Sequence, residues 1–188
     1  YRLSHIDDAI RYLLDYLNAK TGSGDAQPTN ARYDLGYCFL KKENYLQARS
    51  FFEQVATSAR LGSSPLEQDA WMRTADCYFL ARDFRRAKNM YQKALDFPWA
   101  AAAYATYQLA MVAGVSSSKE KIALLLSIPR KFPGSNLIQD ANMEIAGSYL
   151  ADEQFQEALP YLKQVVNDPS PALKPKAYLR MGIAYFNL

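Results

Sequence analysis

Punctuation at a fixed interval constrains this chain most. Pro28, Pro65, Pro98, Pro133 and Pro169 are separated by 37, 33, 35 and 36 residues. Small residues keep the same beat in two series, Ala9, Ala48, Ala87, Ala123 and Ala158, and Gly36, Ala75, Ala110, Ala146 and Gly182. A period of this length marks stacked supersecondary units, none of which can bury its apolar face alone. Large residues follow at helical spacing. Phe39, Tyr78, Tyr149 and Tyr185 come three after members of the second series, and Leu13, Phe52, Tyr91 and Leu162 come four after members of the first. Each pair shares one helical face, so the pattern describes helices crossing at a small residue with bulky neighbours filling the space around it.

Composition supports the helical reading. Glycine and proline together number 17 of 188 residues, which is low, and β-branched runs are nearly absent. The expectation is an all-α solenoid of about ten helices, over residues 4–20, 29–42, 45–60, 66–81, 84–96, 99–114, 119–130, 136–151, 154–167 and 171–187. A single repeat domain, 1–188, then divides into a half repeat at 4–20, full repeats at 29–60, 66–96, 99–130 and 136–167, and a half repeat at 171–188. Pro129 is expected to end its helix early, and Pro160 to kink its helix or delay its start. The uncharged stretch from Phe97 to Ser118 holds Tyr104, Thr106, Tyr107 and Gln108, and reads as a helix buried among helices, with no membrane span.

This pattern resembles the tetratricopeptide repeat, a helix hairpin of about 34 residues with a Trp, Leu-Gly, Tyr, Ala, Phe, Ala, Pro signature. Trp71, Ala75, Tyr78, Ala87, Tyr91, Ala94 and Pro98 follow it best. Leu35-Gly36, Phe39, Ala48, Phe52 and Val55 carry it in the preceding unit, and Ile145-Ala146, Tyr149, Ala158, Leu162 and Val165 in the last. The third unit is degenerate, since counting on from Ala123 puts Ser127 and Arg130 at apolar positions. Ser4 to Ala19 reads as a second helix and Ala177 to Leu188 as a first helix, each without its partner, so further repeats are expected at both ends of an excised segment.

The resemblance implies a right-handed solenoid whose first helices line a concave groove that binds a protein or peptide. By the family pattern the groove takes Asn30, Tyr33 and Tyr37; Asp69, Met72 and Asp76; Tyr104, Tyr107 and Met111; Asp140, Met143 and Gly147; and Lys176, Leu179 and Ile183. The partner-binding candidates are Tyr33, Tyr37, Met72, Asp76, Tyr104, Tyr107, Met111, Met143, Leu179 and Ile183. Tyrosine offers a rigid face with a hydroxyl, and methionine adapts to varied apolar shapes. Where some members grip a terminal carboxylate with Lys, Asn and Arg, the corresponding places here hold Tyr33, Tyr37, Met72, Asp76, Met143 and Gly147, so the resemblance does not extend to that clamp. The turn Lys131-Phe132-Pro133-Gly134-Ser135 is similar to turns in bacterial cell-envelope repeat proteins, which implies a periplasmic or envelope location, although cytoplasmic relatives share it.

Other chemistries find little material. One histidine, His5, and two cysteines, Cys38 and Cys77, supply neither a metal site nor a disulfide framework, and no cofactor is expected. Thr21-Gly22-Ser23-Gly24 lacks the Lys-Ser/Thr ending of a phosphate loop. The net charge of +3 gives no reason to expect nucleic acid, though Arg82, Arg85, Arg86 and Lys88 form a basic cluster through which a nucleic-acid-linked regulatory module would bind. An α/α enzyme would need Asp69, Asp76 and Asp140 to converge. The expectation is no catalytic centre and an interaction scaffold.

Overall fold

The computed structural model describes residues 2–19, 27–57 and 62–188. The Thr21–Gly24 loop and Leu61 lie outside them. Among the described residues ten helices follow one another: α1 (Arg2–Ala19), α2 (Gln27–Lys41), α3 (Tyr45–Val55), α4 (Pro65–Leu80), α5 (Phe84–Ala94), α6 (Ala102–Ala113), α7 (Ser118–Lys131), α8 (Ile138–Ala151), α9 (Phe155–Asn167) and α10 (Lys174–Asn187). The chain forms two compact units, residues 1–101 and 102–188. In the first, each helix from α1 to α5 packs on its neighbour in sequence; in the second, α6 to α10 do the same. Nearest-neighbour packing of this kind is what stacked hairpins require. No described helix is long and apolar enough to cross a membrane.

First and second helix approach closely at Gly36. A Cβ added there would lie 2.6 Å from the ring of Phe52, which is fully buried. Ala48, Val55, Ala70 and Cys77 close the same cluster. In the second unit Ala110 shares a cluster with Leu125, and Ala146 shares one with Leu162. Burying one such large side chain supplies roughly 1.5–3 kcal/mol, provided the backbones approach closely enough to leave no void.

Three hairpins turn identically. Glu43, Arg82 and Glu153 adopt φ of 57°, 62° and 57°. Their amides donate to the carbonyls of Leu40, Phe79 and Leu150, and the next amides, of Asn44, Asp83 and Gln154, donate to Phe39, Tyr78 and Tyr149. These bonds occupy carbonyls that the first helix leaves without intrahelical partners. The second helix then begins, with the Asn44 and Asp83 side chains accepting from the Gln47 and Arg86 amides.

The third hairpin corrects two expectations. Its turn has no left-handed residue, and Ser117 caps α7 by accepting from the Glu120 amide at 3.1 Å. Counting four, eight and eleven residues from the cap, as in the other hairpins, reaches Lys121, Leu125 and Ile128. The register therefore lies two residues before Ala123, which is exposed. Ser127 is buried with its hydroxyl donating to the Leu124 carbonyl at 2.7 Å. Nor does Pro129 end α7 early, since the helix runs on to Lys131. In the last turn proline forgoes a single bond, while buried Ile128 holds the backbone in place and its carbonyl accepts from the Phe132 amide at 2.8 Å. Pro160 likewise sits inside α9, whose start at Phe155 is not delayed.

Gly182 is the counterpart of Gly36, yet nothing lies within 4 Å of a Cβ added there. The two sites give a paired prediction. Gly36→Ala should cost about 1–3 kcal/mol by overpacking against Phe52. Gly182→Ala should cost nothing and gain up to about 1 kcal/mol of helix propensity. Urea unfolding of both variants checks this, and equal effects would refute the crossing assignment.

Candidate interaction surfaces on the first helices

In the first unit, Tyr33 and Tyr37 stand one turn apart on α2. Their rings meet edge to face at 5.0 Å, and each packs edge-on to Phe52, at 5.9 and 5.2 Å. The inner edges thus rest on the hydrophobic core while the rings remain half exposed. Both hydroxyls donate to one oxygen of Asp69 on α4, Tyr33 at 2.5 Å and Tyr37 at 2.9 Å. Arg73 on α4 pairs with the other Asp69 oxygen at 3.5 Å and also bonds Asp76. Asp76 in turn accepts from the hydroxyl of Tyr91 on α5 at 2.6 Å, with both residues buried. A continuous polar chain therefore ties three helices together and fixes the orientation of two aromatic faces. Burial, and then the bond to Asp69, pushes the Tyr33 phenol far above its usual range. Burial also raises Tyr37.

The second unit presents a related surface. Tyr104, Tyr107 and Met111 follow one face of α6, half exposed, and the Tyr104 hydroxyl accepts from Gln108 at 2.8 Å. Tyr107 and Met111 pack on the cluster of Ala110, Leu125 and Ile145. Tyr107 is pushed up to about 12, by burial first and then by Glu144 and Asp140. Leu179 and Ile183 lie on α10 at 67% and 46% exposure. Asp140 borders a cavity of about 450 Å³ that is also lined by Ile138, Val165, Asp168 and Leu173.

Three predicted groove residues belong to the interior instead. Met72 is 0% and Met143 3% exposed, so neither offers a face to a partner. A flexible side chain without a polar tip folds into the gap between helices, whereas Tyr33, at the position matching Met72, has a hydroxyl that must reach an acceptor. Asp76 is buried in the bonds just described. Asp69 and Asp76 converge on the Arg73 guanidinium, which neutralises them together with the bonds from tyrosine hydroxyls, and Asp140 belongs to the other unit. Arg82, Arg85 and Arg86 are exposed. Arg86 pairs with Asp83 at 3.2 Å and lies over the Tyr78 ring at 5.5 Å, while Arg49 approaches the same ring at 4.8 Å. Cys77 is buried, and burial followed by Asp76 pushes its thiol up to about 12, which keeps it protonated and unreactive. Among the described residues no group of His, Cys, Asp and Glu could hold a metal ion.

Comparison with known proteins agrees with this architecture. Models of the tetratricopeptide repeat match residues 29–60 and 69–96, which are the hairpins α2–α3 and α4–α5. Among solved structures, MamA is 18% identical with a TM-score of 0.64 over 86% of each chain. YrrB, described as a tetratricopeptide-repeat protein with an unusual peptide-binding site, is 18% identical with a TM-score of 0.61, over 95% of this chain and 86% of its own. The C-terminal part of a repeat-containing protein from Cytophaga hutchinsonii is 12% identical with a TM-score of 0.73, over 97% and 66%. No curated protein sequence matches the chain. Residues 29–60 and 69–96 are therefore tetratricopeptide repeats, an architecture that supports a role as a protein-interaction scaffold.

Tyr107 gives a prediction with a definite sign. Its phenol is raised in the folded chain above the unfolded value of about 10, so its share of stability is complete below pH 10 and is lost as pH rises towards about 12. The urea midpoint of the wild type should fall over that interval more than the midpoint of Tyr107→Phe. Parallel curves would show that Tyr107 is not perturbed.

Proposed function

We propose that the chain binds a peptide or an extended segment of a partner protein along the exposed faces of its first helices. In the first unit the anchors are Tyr33 and Tyr37; in the second they are Tyr104, Tyr107 and Met111, with Leu179 and Ile183. The observation that carries this reading is the fixing of Tyr33 and Tyr37 by Asp69, at 2.5 and 2.9 Å. Two half-exposed aromatic faces held rigid before binding present apolar area with little conformational entropy left to lose, which favours recognition of apolar anchors on a partner. A location in the cell envelope belongs to the same proposal and rests on the turn Lys131–Ser135.

Selection of a random peptide library on the immobilised chain supplies a ligand, and calorimetry then measures its affinity. Tyr33→Ala with Tyr37→Ala should weaken binding at least ~10-fold, as loss of aromatic hot spots does, while the circular dichroism of the variant stays helical. Unchanged affinity in a folded variant would refute the tyrosine face. Asp69→Asn retains an acceptor for one hydroxyl and should weaken binding less.

A further inference from the structure

The third repeat departs from the pattern of the others at one place. Lys121 stands on α7 where Ala48, Ala87 and Ala158 stand in the other second helices, all three of them fully buried. The lysine side chain is only 17% exposed, and its stem is accommodated because residue 114 is glycine: a Cβ there would lie 2.7 Å from the Lys121 Cδ. The ammonium reaches Glu144 on α8 at 2.6 Å. A crossing position that is elsewhere kept small has thus been given to a partly buried cation, at the cost of close packing.

Beside it lies a second cation. Arg180 on α10 crosses to α8, where its Nη1 donates to the Met143 carbonyl at 2.6 Å. Gly147 makes the crossing possible, since a Cβ at that position would lie 3.1 Å from the same nitrogen. The guanidinium has no acidic partner among the described residues. Arg180 borders a cavity of about 300 Å³ that Gly114, Ser118, Lys121, Glu144 and Gly147 also line. Glu144 neutralises Lys121, so Arg180 is the surplus charge. The first turn of α7 contributes the positive end of the helix dipole, while its Ser118 hydroxyl donates to Asp152 at 3.5 Å. On α10, Leu179 and Ile183 flank the arginine and are exposed.

We propose that this pocket binds a carboxylate side chain, an aspartate or glutamate carried within a partner segment, with Arg180 as its principal ligand and Lys121 as the second. A guanidinium fork matches a carboxylate geometrically, and the partly enclosed position strengthens the pairing relative to the open surface. Leu179 and Ile183 select apolar neighbours of the acid. The site lies wholly within the second unit and uses none of the tyrosines of the first, so it stands or falls independently of them.

The probe is a hexaglutamate peptide, acetylated and amidated so that every carboxylate is a side chain, with hexaglutamine and hexalysine as controls. Nuclear magnetic resonance follows the Arg180 Nε–H and the amides of Gly147 and Ser118. Hexaglutamate should shift these signals saturably and the controls should not. Arg180→Gln should weaken binding about tenfold. Gly147→Ala, which displaces the guanidinium, should weaken it as well. Glu144→Gln frees Lys121 and should tighten binding severalfold, which a merely structural ion pair would not do. Tyr33→Ala with Tyr37→Ala should leave hexaglutamate binding unchanged. Absence of saturable shifts, equal binding of hexaglutamine, or weaker binding in Glu144→Gln would overturn the proposal.

Discussion

The contact between a small residue on the first helix and a large residue on the second, seen in the hairpins α2–α3, α6–α7 and α8–α9, organises everything else. Phe52 can lie fully buried against α2 because residue 36 is glycine, and Leu125 and Leu162 share their clusters with Ala110 and Ala146. Once that crossing is set, the side of each first helix bearing Gly36 or its equivalents is occupied by its own hairpin. The neighbouring side rests on the next hairpin, as the bonds of Tyr33 and Tyr37 to Asp69 illustrate. What is left over is a strip of half-exposed aromatic and apolar residues. Interaction is therefore a by-product of how hairpins stack, and the chemistry of the strip can vary without disturbing the crossing.

Much of this was legible in the sequence because the crossing demands a residue type at a fixed place. Ala48, Ala87 and Ala158 announce three second helices, and the family pattern places Tyr33 and Tyr37 on the first-helix face where the structure leaves them half-buried. Counting from Ala123 misplaces the third hairpin by two residues, because that alanine is a decoy and the crossing position holds Lys121. A compensating glycine seven residues earlier, Gly114, is the signal that could have corrected it. Met72 and Met143 were assigned to the groove by the same register that places Tyr33 there. Their burial depends on side-chain flexibility, which spacing does not encode. The Arg180 pocket escaped the sequence for a related reason, since it depends on an arginine reaching across to a backbone carbonyl 37 residues away.

Departures from the repeat pattern are thus more informative about function than conformity to it. Conforming positions such as Phe52 and Leu162 serve the core. Asp69 shows a different use, in which a charged residue holds two tyrosine hydroxyls while Arg73 balances its charge. Lys121, Gly114 and Gly147 together exchange packing for cation placement at one point in the second unit.

The central claim is that binding falls on the first helices, with the first turn of α7 the one contribution from a second helix. Hydrogen–deuterium exchange of the chain with and without a peptide selected for binding tests it most directly. The account predicts slowed exchange on α2 and α4, or on α6, α8 and α10, with α3, α5, α7 and α9 unchanged beyond their first turns. Protection concentrated on α3, α5 or α9 would contradict it.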